Sequence, residues 1–201
     1  MITIVDYGMG NLGSVLNMFK KNGTPAKISA DPDEIRHATK LLLPGVGAFD
    51  TAMQRINHLG LRELLDHKAL IEKVPVLGIC LGMQLLTESS EEGDLPGLGW
   101  IKGRALNFKG RIPASLKIPH MGWNVAEIQT PCQLTTGYEG EIRFYFVHSY
   151  FVTAPESTMM KTTYGIQFDS GVVKENIFGA QFHPEKSHKF GMQLFKNFAS
   201  I

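Results

Sequence analysis

With 201 residues, 20 basic and 19 acidic side chains and a formal net charge of +1, the chain carries no dense basic stripe, which argues against a nucleic-acid partner. Its two cysteines, Cys80 and Cys132, show no CxxC or Cys/His spacing, so neither a disulfide framework nor a metal site is expected, and the composition suits a reducing cytosol. The N-terminal "MITIVDYG" reads as a strand, and no apolar run approaches the about 18 residues that span a bilayer, so a soluble cytoplasmic protein without a membrane partner is expected.

A chain of this length buries roughly 70% of its unfolded surface. No repeat or polar linker divides it, which predicts one domain over residues 1–201. In chain order, "ITIVD" reads as a strand, followed by a helix from about Leu12 to Lys21, the strand "AKIS", a short helix from Pro32 to His37 and the strand "KLLLPG". Helices over Phe49 to His58 and Leu61 to His67 come next, then the strand "VPVLGI" and a helix beginning near Leu81. Strands alternating with helices predict βαβ units, and near-continuous apolar strands predict a parallel sheet covered on both faces. After "EEGDLPGLGW" the segments "IKGRALNF", "GWNVAEIQ", "EIRFYFVHSYFV", "MMKTTYG" and "GVVKENIFGAQFH" are short and β-rich, which predicts antiparallel strands appended to that sheet or beside it. A last amphipathic helix carries Phe190, Leu194, Phe195 and Phe198 as a core stripe.

Several stretches carry chemistry. Gly8-Met9-Gly10-Asn11-Leu12-Gly13 satisfies G-x-G-x-x-G between a strand and a helix, and Asp31 lies near the about 20-residue offset of a dinucleotide site. That reading leaves Cys80, His183 and Glu185 without a role, in a chain short for two domains. Pro44-Gly45-Val46-Gly47 is a glycine-bracketed loop whose N–H groups can act as oxyanion donors, or it is an ordinary strand-to-helix turn. Gly78-Ile79-Cys80-Leu81-Gly82 has the strand, sharp turn and helix pattern of a nucleophile elbow, with cysteine at the apex and the Leu81 N–H as a second oxyanion donor. A lone cysteine is also often a small buried hydrophobe, and on this motif alone both alternatives stand.

Of seven histidines, "AQFHPEKS" singles out His183. Pro184 disfavours helical geometry at His183, so His183-Pro184-Glu185 is expected to be extended, with histidine and glutamate projecting to one side. Glu185 would then orient an imidazole that serves Cys80, unless His183 is a strand-end histidine satisfied by backbone. "IPHMGWN" is expected to expose His120, Met121 and Trp123 as an aromatic and thioether cluster of the interface-anchor kind, a core hairpin being the alternative. Cys132 reads as a loop thiol, His37, His58, His67 and His188 as solvated surface, and His148 as shaping a pocket.

"PGVGAF", "GICLGMQ" and "FHPE", in this order, resemble the class I, triad-type glutamine amidotransferases. The resemblance implies a single flavodoxin-like α/β domain with a central mixed, mostly parallel sheet, no cofactor, and hydrolysis of glutamine to glutamate and ammonia. By that likeness Cys80 attacks the side-chain amide, His183 protonates the leaving ammonia and then activates water, Glu185 completes the triad, and Val46, Gly47 and Leu81 hold the oxyanion. Gln84, Glu92, Ser149 and Tyr150 correspond to positions around bound glutamine, with Glu91 the neighbour that leaves Glu92 open. "DYGMGNLGSV", "PHMGWN" and "FYFVHSY" narrow the likeness to glutaminase subunits that pass ammonia through a channel to a separate (βα)8-barrel cyclase, as half of a heterodimer with little activity alone. In that likeness Asn11, Pro119, Met121, Trp123 and Lys186 face the cyclase. A pyridoxal phosphate synthase glutaminase is the nearest competitor, and "PHMGWN" argues against it. Cysteine hydrolases of the DJ-1/PfpI type carry histidine directly after the cysteine, where this chain has Leu81. A regulatory protein that has lost catalysis finds no support in the triad.

Overall fold

The computed structural model describes residues 1–201. Its first part alternates strands with helices: β1 (Ile2–Val5), α1 (Leu12–Lys21), β2 (Ala26–Ser29), α2 (Pro32–Arg36), β3 (Lys40–Gly45), α3 (Phe49–His58), α4 (Leu61–Asp66), β4 (Val76–Cys80) and α5 (Leu81–Leu85). The strands β5 (Ser89–Ser90), β6 (Arg104–Asn107), β7 (His120–Val125), β8 (Glu127–Ile128), β9 (Arg143–His148), β10 (Tyr150–Thr153), β11 (Thr158–Tyr164), β12 (Ile166–Lys174) and β13 (Ile177–Ala180) follow, and α6 (His188–Ser200) ends the chain. No helix is long and apolar enough to cross a membrane.

The main sheet runs β2-β1-β3-β4-β13-β12-β10-β6-β5, with β11 on β12 and β8 on β11. Neighbours from β2 to β13 are parallel, and from β13 through β12 and β10 to β6 they are antiparallel. The late β-rich segments therefore extend the parallel sheet, except that β7 and β9 form a separate antiparallel pair. The chain is thus an α/β protein with one mixed sheet flanked by helices.

Period-two alternation within the central strands divides the interior into two layers. Leu41 and Leu43 of β3 join Phe49, Ala52, Met53 and Ile56 of α3 and Leu61 and Leu65 of α4 on one face. Leu42 of β3, with Leu77 and Ile79 of β4, joins Val15 and Phe19 of α1 and Leu194, Phe195 and Phe198 of α6 on the other. Phe19 and Phe195 meet edge to face at 4.8 Å. That contact locks the first and last helices together. Because both faces are covered, β1, β3 and β4 carry apolar side chains almost without a break.

Three local expectations need correction. The helix expected over Leu61 to His67 ends at Asp66 and continues as a π-helical turn over His67–Ile71. The turn buries Lys68, whose Nζ donates to the Arg36 carbonyl at 2.8 Å. His120, expected to be exposed beside Met121 and Trp123, is 2% exposed, whereas Met121 and Trp123 are 61% and 41% exposed. Adjacent strand residues face opposite sides, so the three cannot share one surface. Pro184–Lys186 forms a 3-10 turn rather than an extended segment. Proline restrains the residue before it, His183, which is extended, while its own fixed φ suits the first position of a helical turn.

Candidate active site

The parallel strands β3, β4 and β13 lie side by side, so their carboxyl ends reach one edge of the sheet together. Open α/β sheets bind ligands at that edge. Gly45 ends β3, Cys80 ends β4, and His183 lies three residues past the end of β13.

Cys80 has a φ of 55° in the left-handed region that a side chain rarely adopts. Such a conformation costs about 1–3 kcal/mol and persists only where surroundings enforce it. Here the enforcement is steric: a β-carbon on Gly82 would lie 1.8 Å from the Leu43 carbonyl oxygen, so α5 packs against β3 only because residue 82 is glycine. Immediately after the cysteine, Leu81 opens α5, and N–H groups in a helix's first turn have no intrahelical acceptor. The sulfur is 4.0 Å from the Val147 carbonyl oxygen and 3.8 Å from Gln181 Nε2.

His183 is held on every side but one. Its backbone N–H donates to the Tyr145 carbonyl at 2.8 Å, its own carbonyl accepts from Ser187 Oγ at 2.6 Å, and Nδ1 meets Glu185 Oε1 at 2.7 Å. The histidine and glutamate side chains are 3% and 4% exposed. A carboxylate only accepts, so Nδ1 carries the proton and Nε2 faces the sulfur's side of the site. Nε2 has no hydrogen-bond partner, and neither has Glu185 Oε2. Nε2 and the Cys80 sulfur are near enough to interact without a well-aligned hydrogen bond, a geometry common before substrate binds. Burial alone would lower the His183 pKa, yet its interactions with Cys80 and with the Glu185 carboxylate outweigh it and raise the value well above the ordinary range. The net field favours imidazolium.

Cys80 and His183 open onto a cleft of about 330 Å³ whose wall includes Val46, Gly47 and Leu81. Gly47 has a φ of +108°, and Val46 is exposed. Gln84, Glu92, Ser149 and Tyr150 line the same cleft. Both N–H groups of the Gln84 amide are spent within the wall, one on the Tyr150 carbonyl and one on Gln181 Oε1, each at 3.1 Å. Glu92 Oε2 accepts from the Phe49 N–H at 2.9 Å. Burial raises the Glu92 pKa, Asp50 adds to the rise, and the Phe49 hydrogen bond opposes it. Its neighbour Glu91 points elsewhere and is gripped by Arg111 at 2.7 and 2.9 Å. The two glutamates, equivalent in sequence, thus differ completely in setting.

Of the residues expected on a partner face, Pro119 lines the cleft after a cis peptide bond, and Asn11, Met121, Trp123 and Lys186 lie outside it. Trp123 stacks on His188 at 5.5 Å, and Lys186 Nζ sits 5.8 Å from the centre of the Tyr145 ring, which Trp123 meets edge to face. Asn11 caps α1 and also borders a small cavity behind His183 and Glu185. Asp31, the acidic residue of the dinucleotide alternative, is spent as the N-cap of α2, accepting from the Asp33 N–H at 2.8 Å. Cys132 is half-buried, its sulfur 3.5 Å from Met159 Sδ.

Gln181 joins these residues at the site. Wholly buried, it bridges Gln84 and the Cys80 sulfur. A glutamine directly after an apolar strand and two residues before His183 is the signal that marks it, because a buried amide is costly unless paired. Asp50, which accepts from the Asp94 and Leu95 N–H groups and so shapes the loop carrying Glu92, left no such trace.

This geometry can be set beside known proteins. The family model "Glutamine amidotransferase class-I" matches residues 3–201. The HisH 2 subunit of imidazole glycerol phosphate synthase from Methanococcus maripaludis is 52% identical over 98% of both chains. The subunit of the same name from Pseudomonas aeruginosa is 48% identical over the full length of both. A crystal structure of a glutamine amidotransferase shares the fold with a TM-score of 0.76 at 17% identity, covering 100% of each chain. The chain belongs to the class I glutamine amidotransferases and, within them, to the family of HisH subunits of imidazole glycerol phosphate synthase.

Proposed function

We propose that this chain is the glutaminase subunit of an imidazole glycerol phosphate synthase, releasing ammonia from glutamine for histidine biosynthesis. One observation carries the site assignment: Cys80 in a strained elbow and His183, more than a hundred residues away and held by Glu185, open onto one cleft that also holds the Glu92 carboxylate.

The Cys80 thiolate attacks the side-chain amide carbon of glutamine, and the charge that develops on the carbonyl oxygen meets the Leu81 N–H and the Val46–Gly47 peptide. His183, as imidazolium, gives its Nε2 proton to the departing nitrogen, so ammonia leaves and a glutamyl thioester remains. The same nitrogen then takes a proton from water, which adds to the thioester and releases glutamate. Glu185 holds the ring and stabilises its charge. An amide is a weak electrophile with a poor leaving group, so acid catalysis and oxyanion binding are both needed, each worth on the order of 10²–10⁴ in rate. Glu92 pairs with the substrate ammonium, while Gln84, Ser149 and Tyr150 frame the rest of the amino acid.

Residues 1–201 act as one amidotransferase domain without cofactor, in the cytoplasm. Ammonia passes through a channel to a (βα)8-barrel cyclase, which makes imidazole glycerol phosphate and an aminoimidazole carboxamide ribotide. Asn11, Pro119, Met121, Trp123 and Lys186 form the face that meets this barrel in a heterodimer. Support comes from exposed apolar groups at Val46, Ile118, Met121 and Trp123 on segments that border the cleft.

The decisive experiment measures glutamate release from glutamine with and without a cyclase subunit. Stimulation by the cyclase is expected, with Cys80→Ala reducing the stimulated rate by about 10³-fold or more. Hydrolysis that survives in the variant would overturn the assignment.

A further inference from the structure

Two buried histidines outside the triad form a chain of hydrogen bonds with one possible proton arrangement. His148 Nδ1 lies 2.7 Å from the Tyr150 carbonyl oxygen. That oxygen only accepts, so Nδ1 of His148 carries the hydrogen. Its other nitrogen, Nε2, lies 2.9 Å from His120 Nδ1. At the far end, Asn124 Nδ2 is 3.2 Å from His120 Nε2. The Asn124 amide is itself oriented, since Nδ2 donates to the Thr163 carbonyl at 2.9 Å and Oδ1 accepts from the Val125 N–H at 2.8 Å. Its nitrogen therefore donates to His120 Nε2, which leaves His120 Nδ1 as the donor to His148 Nε2. An additional proton on either ring would set two donors against each other, so both rings are neutral and both carry hydrogen on Nδ1.

The chain ends on a carbonyl that matters to the cleft. The Tyr150 oxygen also receives the Gln84 amide, and Tyr150, Ser149, His148 and Gln84 all line the cavity. His120 itself does not touch it. His120 is clamped between the Tyr164 ring at 4.1 Å and the Phe146 ring at 4.8 Å, both nearly parallel to it. Across the small sheet it pairs directly with His148.

We propose that His120 is a positioning residue for the glutamine pocket, acting through His148 to hold the Tyr150 carbonyl and the wall it belongs to. The donor from His120 occupies the His148 Nε2 lone pair, which fixes the His148 tautomer and aims its Nδ1–H at Tyr150. It also keeps His148 uncharged within the cleft that contains His183, where a second cation would oppose the imidazolium. Without that donor, His148 is free to flip or to take a proton, and the Tyr150 carbonyl keeps only the Gln84 donor.

This inference rests on the glutaminase reading, and the test separates the two. In the complex with a cyclase subunit, His120→Phe retains the ring stacking but removes both polar atoms. It should raise KM for glutamine by about tenfold, with kcat changed less than about threefold, the scale of one buried hydrogen bond. His120→Asn restores a donor where Nδ1 stood and should recover most of the lost KM. In the unsubstituted protein, ¹⁵N spectra of labelled histidine should show two neutral rings protonated on Nδ1. Absence of glutaminase activity in the unsubstituted complex would overturn the parent reading. An active complex in which His120→Phe leaves KM unchanged, in which His120→Asn behaves no better than His120→Phe, or in which the signals that His120→Phe and His148→Phe remove are those of Nε2–H rings, would overturn this one.

Discussion

Gly78 and Gly82 stand against each other across the turn that presents Cys80: a β-carbon on Gly78 would lie 2.6 Å from the Gly82 carbonyl oxygen. The partner atom is backbone and cannot swing away. For Gly82→Ala the clash is with the Leu43 carbonyl, and we expect a loss of about 3 kcal/mol or more, at the upper end of overpacking costs. That corresponds to a Tm lower by about 6–12 °C for a chain of this size. Thermal unfolding checks it, and an unchanged Tm would show that the elbow is not packed this tightly.

Glu92 and Glu91 offer a matched pair of substitutions. Glu92→Gln keeps an acceptor for the Phe49 N–H but removes the charge from the cleft, so KM for glutamine should rise by about 10–100-fold, the scale of a charge-assisted hydrogen bond. Glu91→Gln weakens its contacts with Arg111 and the Asn107 N–H, both outside the cleft, and should leave KM within about twofold. Steady-state kinetics on the two variants decide between them, and equal effects would contradict the assignment of Glu92.

On the proposed partner face, Trp123→Ala removes a half-exposed ring whose contacts are His188 and the edge of Tyr145. Folding stability should change by less than about 1 kcal/mol, while affinity for the cyclase falls by about 1–3 kcal/mol, as for an aromatic anchor. Calorimetric titration with the barrel subunit, alongside a melting curve, reads both quantities. A lowered Tm with intact affinity would instead make Trp123 a structural residue.

Acid sensitivity should follow from the buried histidine pair. Desolvation holds His120 down at about 4 and His148 at about 3, against an ordinary 6.5. Between those values the unfolded chain binds protons that the folded chain does not, so stability is full above about pH 6.5 and falls as the pH drops toward 4. The loss reaches up to about 2 kcal/mol per histidine at about pH 5. Denaturant midpoints measured across this range should show the decline, and His120→Phe should make it shallower. An identical slope in the variant would contradict the pair's role.

Much of the fold was legible because it follows from local pattern. The apolar runs of β1, β3 and β4, the punctuation by glycine and proline, and the amphipathic period of α1, α3 and α6 place the helices and strands within a residue or two. Apart from the local turn that Pro184 starts, departures arose where a neighbour distant in sequence decided the outcome. His120 is buried because β7 pairs with β9 and turns that side of the strand toward Phe146 and Tyr164. The choice between Glu91 and Glu92 was closed to sequence because adjacent carboxylates have the same composition and opposite surroundings. The partners of Gln181 come together only when β13 lies beside β4.

By itself the sequence determined the order of elements, the glycines that a nucleophile elbow requires around Cys80, and the chemical types available for an acyl transfer. These depend on backbone sterics and hydrophobic periodicity, which act over a few residues. Only the tertiary structure decided which thiol, imidazole and carboxylate share a cleft, which way the rings of His120 and His148 carry their hydrogens, and which of two adjacent glutamates lines that cleft. Those outcomes depend on distances between segments more than a hundred residues apart in some cases, and such distances are set by the sheet's strand order and by the desolvation that close packing imposes.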